Sequence, residues 1–157
     1  LIANHFDIIL KTTKDLPTIP HLMGTRIATV ALPEEDYKGE PFWVIMEHRN
    51  GKVTGSYFCT ERDGHKFIPL FFSKYHAQLN FDDNILEKDR WCVRGLPRYA
   101  FRAFLLIMEL CEKQNIKPMI LFRPPGDLSE VGYAGFITNR DLLVKEYYGE
   151  ALPRILE

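Results

Sequence analysis

Phe42-Trp43-Val44-Ile45-Met46-Glu47-His48, then Arg49-Asn50-Gly51-Lys52, then Val53-Thr54-Gly55-Ser56-Tyr57-Phe58-Cys59, is the stretch that decides the fold. Two runs rich in β-branched and aromatic residues flank an Asn-Gly pair. That pair is the strongest short-range hairpin signal, because both central residues of a two-residue turn need positive φ. A second turn, Glu61-Arg62-Asp63-Gly64-His65, leads into Phe67-Ile68-Pro69-Leu70-Phe71-Phe72. The expectation is a three-stranded antiparallel meander. Pro69 cannot donate to a ladder, which places the last strand at an edge or on a bulge.

Upstream, residues 6–13 and 25–32 read as strands, joined by a proline-punctuated connection, and Pro33 to Pro41 form an acidic loop with Glu34, Glu35, Asp36 and Glu40. Downstream, Tyr75 to Asn80 form a helical turn and Arg90 to Val93 a strand. Pro97 suits the first position of a helix over residues 98–115, which is apolar over most of its circumference and therefore packed on more than one side. Met119-Ile120-Leu121-Phe122 is a short buried strand, and Arg123-Pro124-Pro125-Gly126-Asp127 a rigid loop. Residues 127–134 read as one short helix and Gly135-Phe136-Ile137 as a turn or strand. Asp141 to Tyr148 fit a final helix or strand. Together these elements predict an α+β fold in a single domain spanning 1–157, with a mainly antiparallel sheet and a central helix at about 98–115.

The composition bounds the function. A chain of 157 residues with 46% hydrophobic and 13% aromatic content is long and apolar enough for a substantial core. A net charge of −1 gives no global field for nucleic acid or anionic membrane, so any polyanion contact must be local. Cys59, Cys92 and Cys111 are too widely spaced for a disulfide framework or a zinc ribbon. No apolar run reaches the roughly 20 residues that span a bilayer. The expectation is an intracellular, cytoplasmic protein without a membrane partner. The first residue, Leu1, is not methionine, which suggests a trimmed part of a longer protein.

The most informative local chemistry is Trp91-Cys92-Val93-Arg94-Gly95-Leu96-Pro97-Arg98-Tyr99-Ala100-Phe101-Arg102. It places Arg94, Arg98 and Arg102 around a helix start, with no acid between Asp89 and Glu109. Helix N-termini carry partial positive charge, so cations there are mildly unfavourable unless an anion sits among them. The other outcome is three solvated arginines with acids supplied elsewhere by the fold.

The order of elements resembles the general N-acetyltransferase (GNAT) superfamily. The pattern from Val44 through Glu47, Asn50-Gly51-Lys52-Val53 and Gly55 to Phe58 looks like that family's meander. The following strand, turn, long helix, strand and Gly135-Phe136 match its order over residues 42–136, about three-fifths of the chain. The family's phosphate-cradling motif, Arg/Gln-x-x-Gly-x-Gly/Ala, is not intact: Arg94-Gly95 begins it, but Leu96 to Phe101 lack its glycines. The resemblance implies acetyl-CoA or another acyl-CoA as cofactor and an amine acceptor as substrate. It further implies phosphate contacts from Arg94, Gly95, Arg98 and Arg102, Tyr133 as the acid, and a base near the meander, Glu47 or His48. Adjacent strand residues face opposite ways, so only one of those two can serve.

Other chemistries find less in the chain. His5, His21, His48, His65 and His76 show no metal-binding spacing, and no metal is expected. Asp82-Asp83 with Glu87 and Asp89 offer only a loose acidic cluster. No serine lies in a Gly-x-Ser-x-Gly elbow. The alternative to a transferase is a non-catalytic module that binds protein, or less readily nucleic acid, through the Arg94–Arg102 surface, where Trp91, Tyr99 and Phe101 interleave with the arginines. Phe67 to Phe72 is either core or an exposed partner surface.

Overall fold

The computed structural model describes residues 32–122 and 134–154. The strands read at 6–13 and 25–32, the Arg123–Asp127 loop, the helix at 127–134 and Tyr133 lie outside the described residues, apart from the terminal positions 32 and 134. The described chain is a single α+β domain built on a seven-stranded mixed sheet.

The Asn-Gly hairpin forms as its sequence requires. Strands β1 (Trp43–Arg49) and β2 (Lys52–Tyr57) are joined by Asn50 and Gly51 at φ 52° and 77°, a turn whose twist matches that of paired strands. Between the Met46↔Tyr57 and His48↔Val53 pairs the register shifts, and Gly55, at φ 86°, lies in the longer arm. Asp63 and Gly64 repeat the same turn chemistry (φ 52° and 80°) between β3 (Thr60–Arg62) and β4 (His65–Phe71). The meander is thus two hairpins. They meet only where β1 touches β4, at Trp43↔Phe71.

Strand β4 is internal, not an edge. It pairs in parallel with β6 (Ile116–Phe122) from Lys66↔Ile116 to Phe71↔Leu121, the one parallel ladder of the described sheet. Pro69 is accommodated because β3 pairs only up to Phe67 and β1 only at Phe71. In the interval between them the missing N–H costs no ladder bond on that side. All six residues of Phe67–Phe72 except Phe72 are buried, so the segment is core. Strand β7 (Ala134–Ile137) adds antiparallel to β6.

Two helices cover opposite faces. Helix α1 (Lys74–Asn84) is longer than the turn read from the sequence; the Ser73 hydroxyl caps it by accepting the His76 N–H. With Trp91, Ile45, Phe58, Phe67 and Phe71 it encloses one core through Ala77. Strand β5 (Trp91–Gly95) follows, antiparallel to β1. Helix α2 (Arg98–Lys113) packs Ala100, Phe101, Phe104, Leu105, Met108 and Cys111 onto Val44, Met46, Ile68, Leu70, Ile116 and Ile120. Its apolar positions recur at three- and four-residue spacing, as a sheet-facing stripe must. It ends two residues earlier than expected, Gln114 closing the last turn and Asn115 taking a left-handed φ of 57°. The strands that α2 joins are not neighbours: β5 lies on β1 and β6 on β4.

The last element, α3 (Arg140–Leu143), continues into a wider π turn over Val144–Tyr148 and stops at Gly149, φ 80°. Asn139 caps it by accepting the Leu142 N–H. No helix among the described residues is long and apolar enough to cross a membrane.

Candidate functional site

The junction of β5 and α2 sets the positions of Arg94, Gly95, Arg98 and Arg102. Leu96 is still strand-like: its N–H donates to Phe42 O at 2.9 Å and its carbonyl accepts the Glu40 N–H at 2.8 Å. Pro97 then takes φ −64° as the residue before the first helical turn, with no side-chain cap and no acid in that turn. The N–H groups of Arg98, Tyr99 and Ala100 therefore have no partner inside the helix.

The acidic loop read from the sequence is folded over this junction. A Cβ at Gly95 would stand 2.5 Å from Gly39 N and Tyr37 O and 2.6 Å from Lys38 C, so the Tyr37–Gly39 backbone lies directly on Gly95. Glycine is needed here for close backbone approach, but the approaching backbone is the chain's own. Tyr37 packs edge-on against Tyr99, ring centroids 6.0 Å apart. Partial burial of an otherwise exposed side chain, a side-chain hydrogen bond with Tyr37 and the nearby Glu34 charge together push the Tyr99 phenol up to about 12. At Cys92, burial raises the thiol pKa, Glu35 adds to the rise and Arg94 opposes it. Glu34 and Glu35 of the loop thus lie within electrostatic reach of Tyr99 and Cys92.

The three arginines have different surroundings. Arg94 is half-buried; one Nη donates to Val93 O at 3.0 Å, and its buried Nε has no hydrogen-bond partner among the described residues. Arg98 lies 4.0 Å over the Tyr148 ring and 3.3 Å from Glu150, both groups of that ion pair well exposed. Such a pair contributes at most about 1 kcal/mol. Arg102, one turn further along the same helix face, is exposed, as is Tyr99 at 41%. Arg98, Tyr99 and Arg102 therefore form an exposed cationic and aromatic surface bordered by acids.

Glu47 lies elsewhere, at the far end of β1. It is 1% exposed, with Oε2 2.8 Å from Arg90 Nε and Oε1 3.3 Å from Arg49, and Oε1 also accepts the Thr54 hydroxyl at 3.1 Å. Arg90 stacks 5.2 Å from the Trp91 ring and also reaches Glu87. Thus Arg90 serves a buried carboxylate, whereas Arg98 and Arg102 are exposed. Tyr133, the acid implied by the family resemblance, is outside the described residues.

Sequence reasoning missed Tyr37, the residue that ties the acidic loop to the helix start. Gly95, between a strand and a helix, was the available signal, since glycine there leaves room for the Tyr37–Gly39 backbone where a Cβ would stand. It also passed over the C-terminal segment, whose Glu150 meets Arg98. No protein-family model matches the chain, and no curated protein matches it.

Proposed function

We propose that this domain is a non-catalytic binding module that engages a protein partner through Arg98, Tyr99 and Arg102. The observation that carries this reading is the uncapped start of α2, where these three side chains are exposed together while the turn before it lies under the Tyr37–Gly39 backbone. A pyrophosphate bound as the GNAT resemblance implies would need that turn open. The acyl-CoA reading has in its favour the order of β5, α2 and β6, and it assigns the same arginines to phosphate. The covered Gly95 and the ion-paired, buried Glu47 favour the binding module.

A protein is the better partner than nucleic acid because the field is mixed. Glu34 is close enough to act on Tyr99, Glu35 acts on Cys92, and Glu150 sits on Arg98. A polyanion would meet those acids, whereas a protein surface can match cation, ring and acid in turn. Tyr and Arg are also the side chains that most often anchor protein interfaces.

A photo-reactive side chain placed at position 99 tests this in the source cells, with position 113 at the other end of α2 as control. The reading predicts a discrete protein adduct at 99 that is absent at 113 and lost with Arg102→Glu. Equal adducts at both positions, or an adduct removed by nuclease, would refute it.

A further inference from the structure

The surface assigned to binding has a charge order of its own. Helical spacing sets Arg102 between Arg98 and Tyr99 around α2, about 40° from the first and about 60° from the second. Beyond Tyr99 comes Tyr37, edge-on at 6.0 Å. Beyond Tyr37 lies the turn of Glu34, Glu35 and Asp36, closed by the Tyr37 N–H donating to Glu34 O at 3.3 Å. All three acids are exposed, and Lys38 is the one cation beside them. The surface therefore runs from cation through two rings to acid. Its two ends do not meet within one copy: among the described residues, neither Arg102 nor the carboxylates of Glu34, Glu35 and Asp36 has an ion-pair partner. Arg98 already has one in Glu150.

A surface of that order is complementary to itself. A two-fold axis can lie in the contact plane at Tyr99, across the line from Arg98 to Glu35. The half-turn then lays the acidic end of one copy on the cationic end of the other, and does so twice, as an isologous interface requires. Tyr99, 41% exposed, falls at the axis, and a tyrosine at the centre of an interface is a common anchor. The net charge of −1 sets no field to hold two copies apart. Resting on the binding-module reading, we propose that the protein partner is a second copy of this chain, joined so that Arg102 of each copy pairs with the Glu34–Asp36 turn of the other. Arg98, shared with Glu150, adds less.

The test uses the purified full chain and opposed charge changes. Arg102→Glu sets acid against acid at both ends of the interface, and Glu34→Lys/Glu35→Lys sets cation against cation. Each should weaken self-association at least about tenfold in a sedimentation series. Mixed in equal amounts, the two variants oppose cation and acid at both ends, and should associate as the unaltered chain does. All three positions are exposed, so melting temperatures should be retained. A photo-reactive side chain at position 99 of the otherwise unaltered chain should give an adduct of twice the chain's mass, a readout that needs no charge variant to fold. A chain that is monomeric throughout the series, or a mixture that associates no better than either variant alone, overturns the second copy. An adduct in the source cells to a different protein, from a chain that is monomeric when pure, also overturns it but leaves the binding-module reading standing. No adduct at 99 in cells or in the pure chain overturns both.

Discussion

Removing either half of the Glu47–Arg90 pair should have unequal consequences, because the two groups differ in their access to water. Glu47 is 1% exposed and Arg90 32%, with Oε2 and Nε 2.8 Å apart. Arg90→Leu leaves a carboxylate in the interior whose partners among the described residues are the outer Arg49 and the Thr54 hydroxyl. Losing one partner of a buried pair costs about 3–5 kcal/mol; with these partners remaining, the lower part of that range is expected. Glu47→Gln removes the charge from the interior and keeps an acceptor for Arg90, which still reaches Glu87, for about 1 kcal/mol. The double variant should be less destabilised than Arg90→Leu alone, since no ion is then stranded. Urea unfolding followed by fluorescence of Trp91, on which Arg90 stacks, reads all four chains. The variants should move the midpoint with little change in slope. If Glu47→Gln costs as much as Arg90→Leu, or the double variant shows the sum of the two, the account of this pair as a desolvated carboxylate is refuted.

Three further outcomes follow from the same geometry. Gly95→Ala should cost about 3 kcal/mol, the upper end for overpacking, because its Cβ meets backbone atoms that cannot swing away, whereas Gly51→Ala meets nothing and should cost about 1–2 kcal/mol for its positive φ alone; melting temperatures rank the two. Ser73→Ala should lower stability by about 1 kcal/mol through loss of the bond from the His76 N–H, read by thermal unfolding. Burial pushes the Cys59 thiol to about 12, against some opposition from Lys66, and raises Cys111 well above its ordinary 9. Both thiols then stay protonated in the folded chain while unfolded thiols ionise, so stability is intact below pH 9 and falls as pH rises towards 12. Each thiol contributes about 1.4 kcal/mol per pH unit in that window; Cys59→Val should make the alkaline fall in melting temperature shallower, and an unchanged fall would refute it.

Local chemistry made part of the fold legible. Asn50-Gly51 and Asp63-Gly64 specify hairpins because few other pairs accept two positive φ values, and the apolar spacing of Phe101, Phe104, Leu105 and Met108 specifies a sheet-packed helix. Helix α1 was underread because Lys74 to Asn84 is mostly polar and shows no apolar stripe; its cap and the burial of Ala77 hold it in place. Pro69 misled for a physical reason. A proline forbids one hydrogen bond, and the sequence does not tell which side of a strand lacks a neighbour. That depended on β6 arriving from 45 or more residues away in parallel register. At the candidate site, the arginines at the start of α2 were visible, but their environment was not. The covering of Gly95 by Tyr37–Gly39 and the meeting of Arg98 with Glu150 are long-range contacts that no spacing rule encodes.

The measurement that tests the central claim most directly is a calorimetric titration of the full chain with coenzyme A and acetyl-coenzyme A, paired with melting temperature at millimolar ligand. A binding module whose Gly95 turn is covered by its own backbone should give no saturable heat and no ligand-dependent stabilisation. Stabilisation that follows ligand concentration, as linkage requires, and that is lost with Arg94→Ala or Arg98→Ala, would contradict that account and assign these arginines to phosphate.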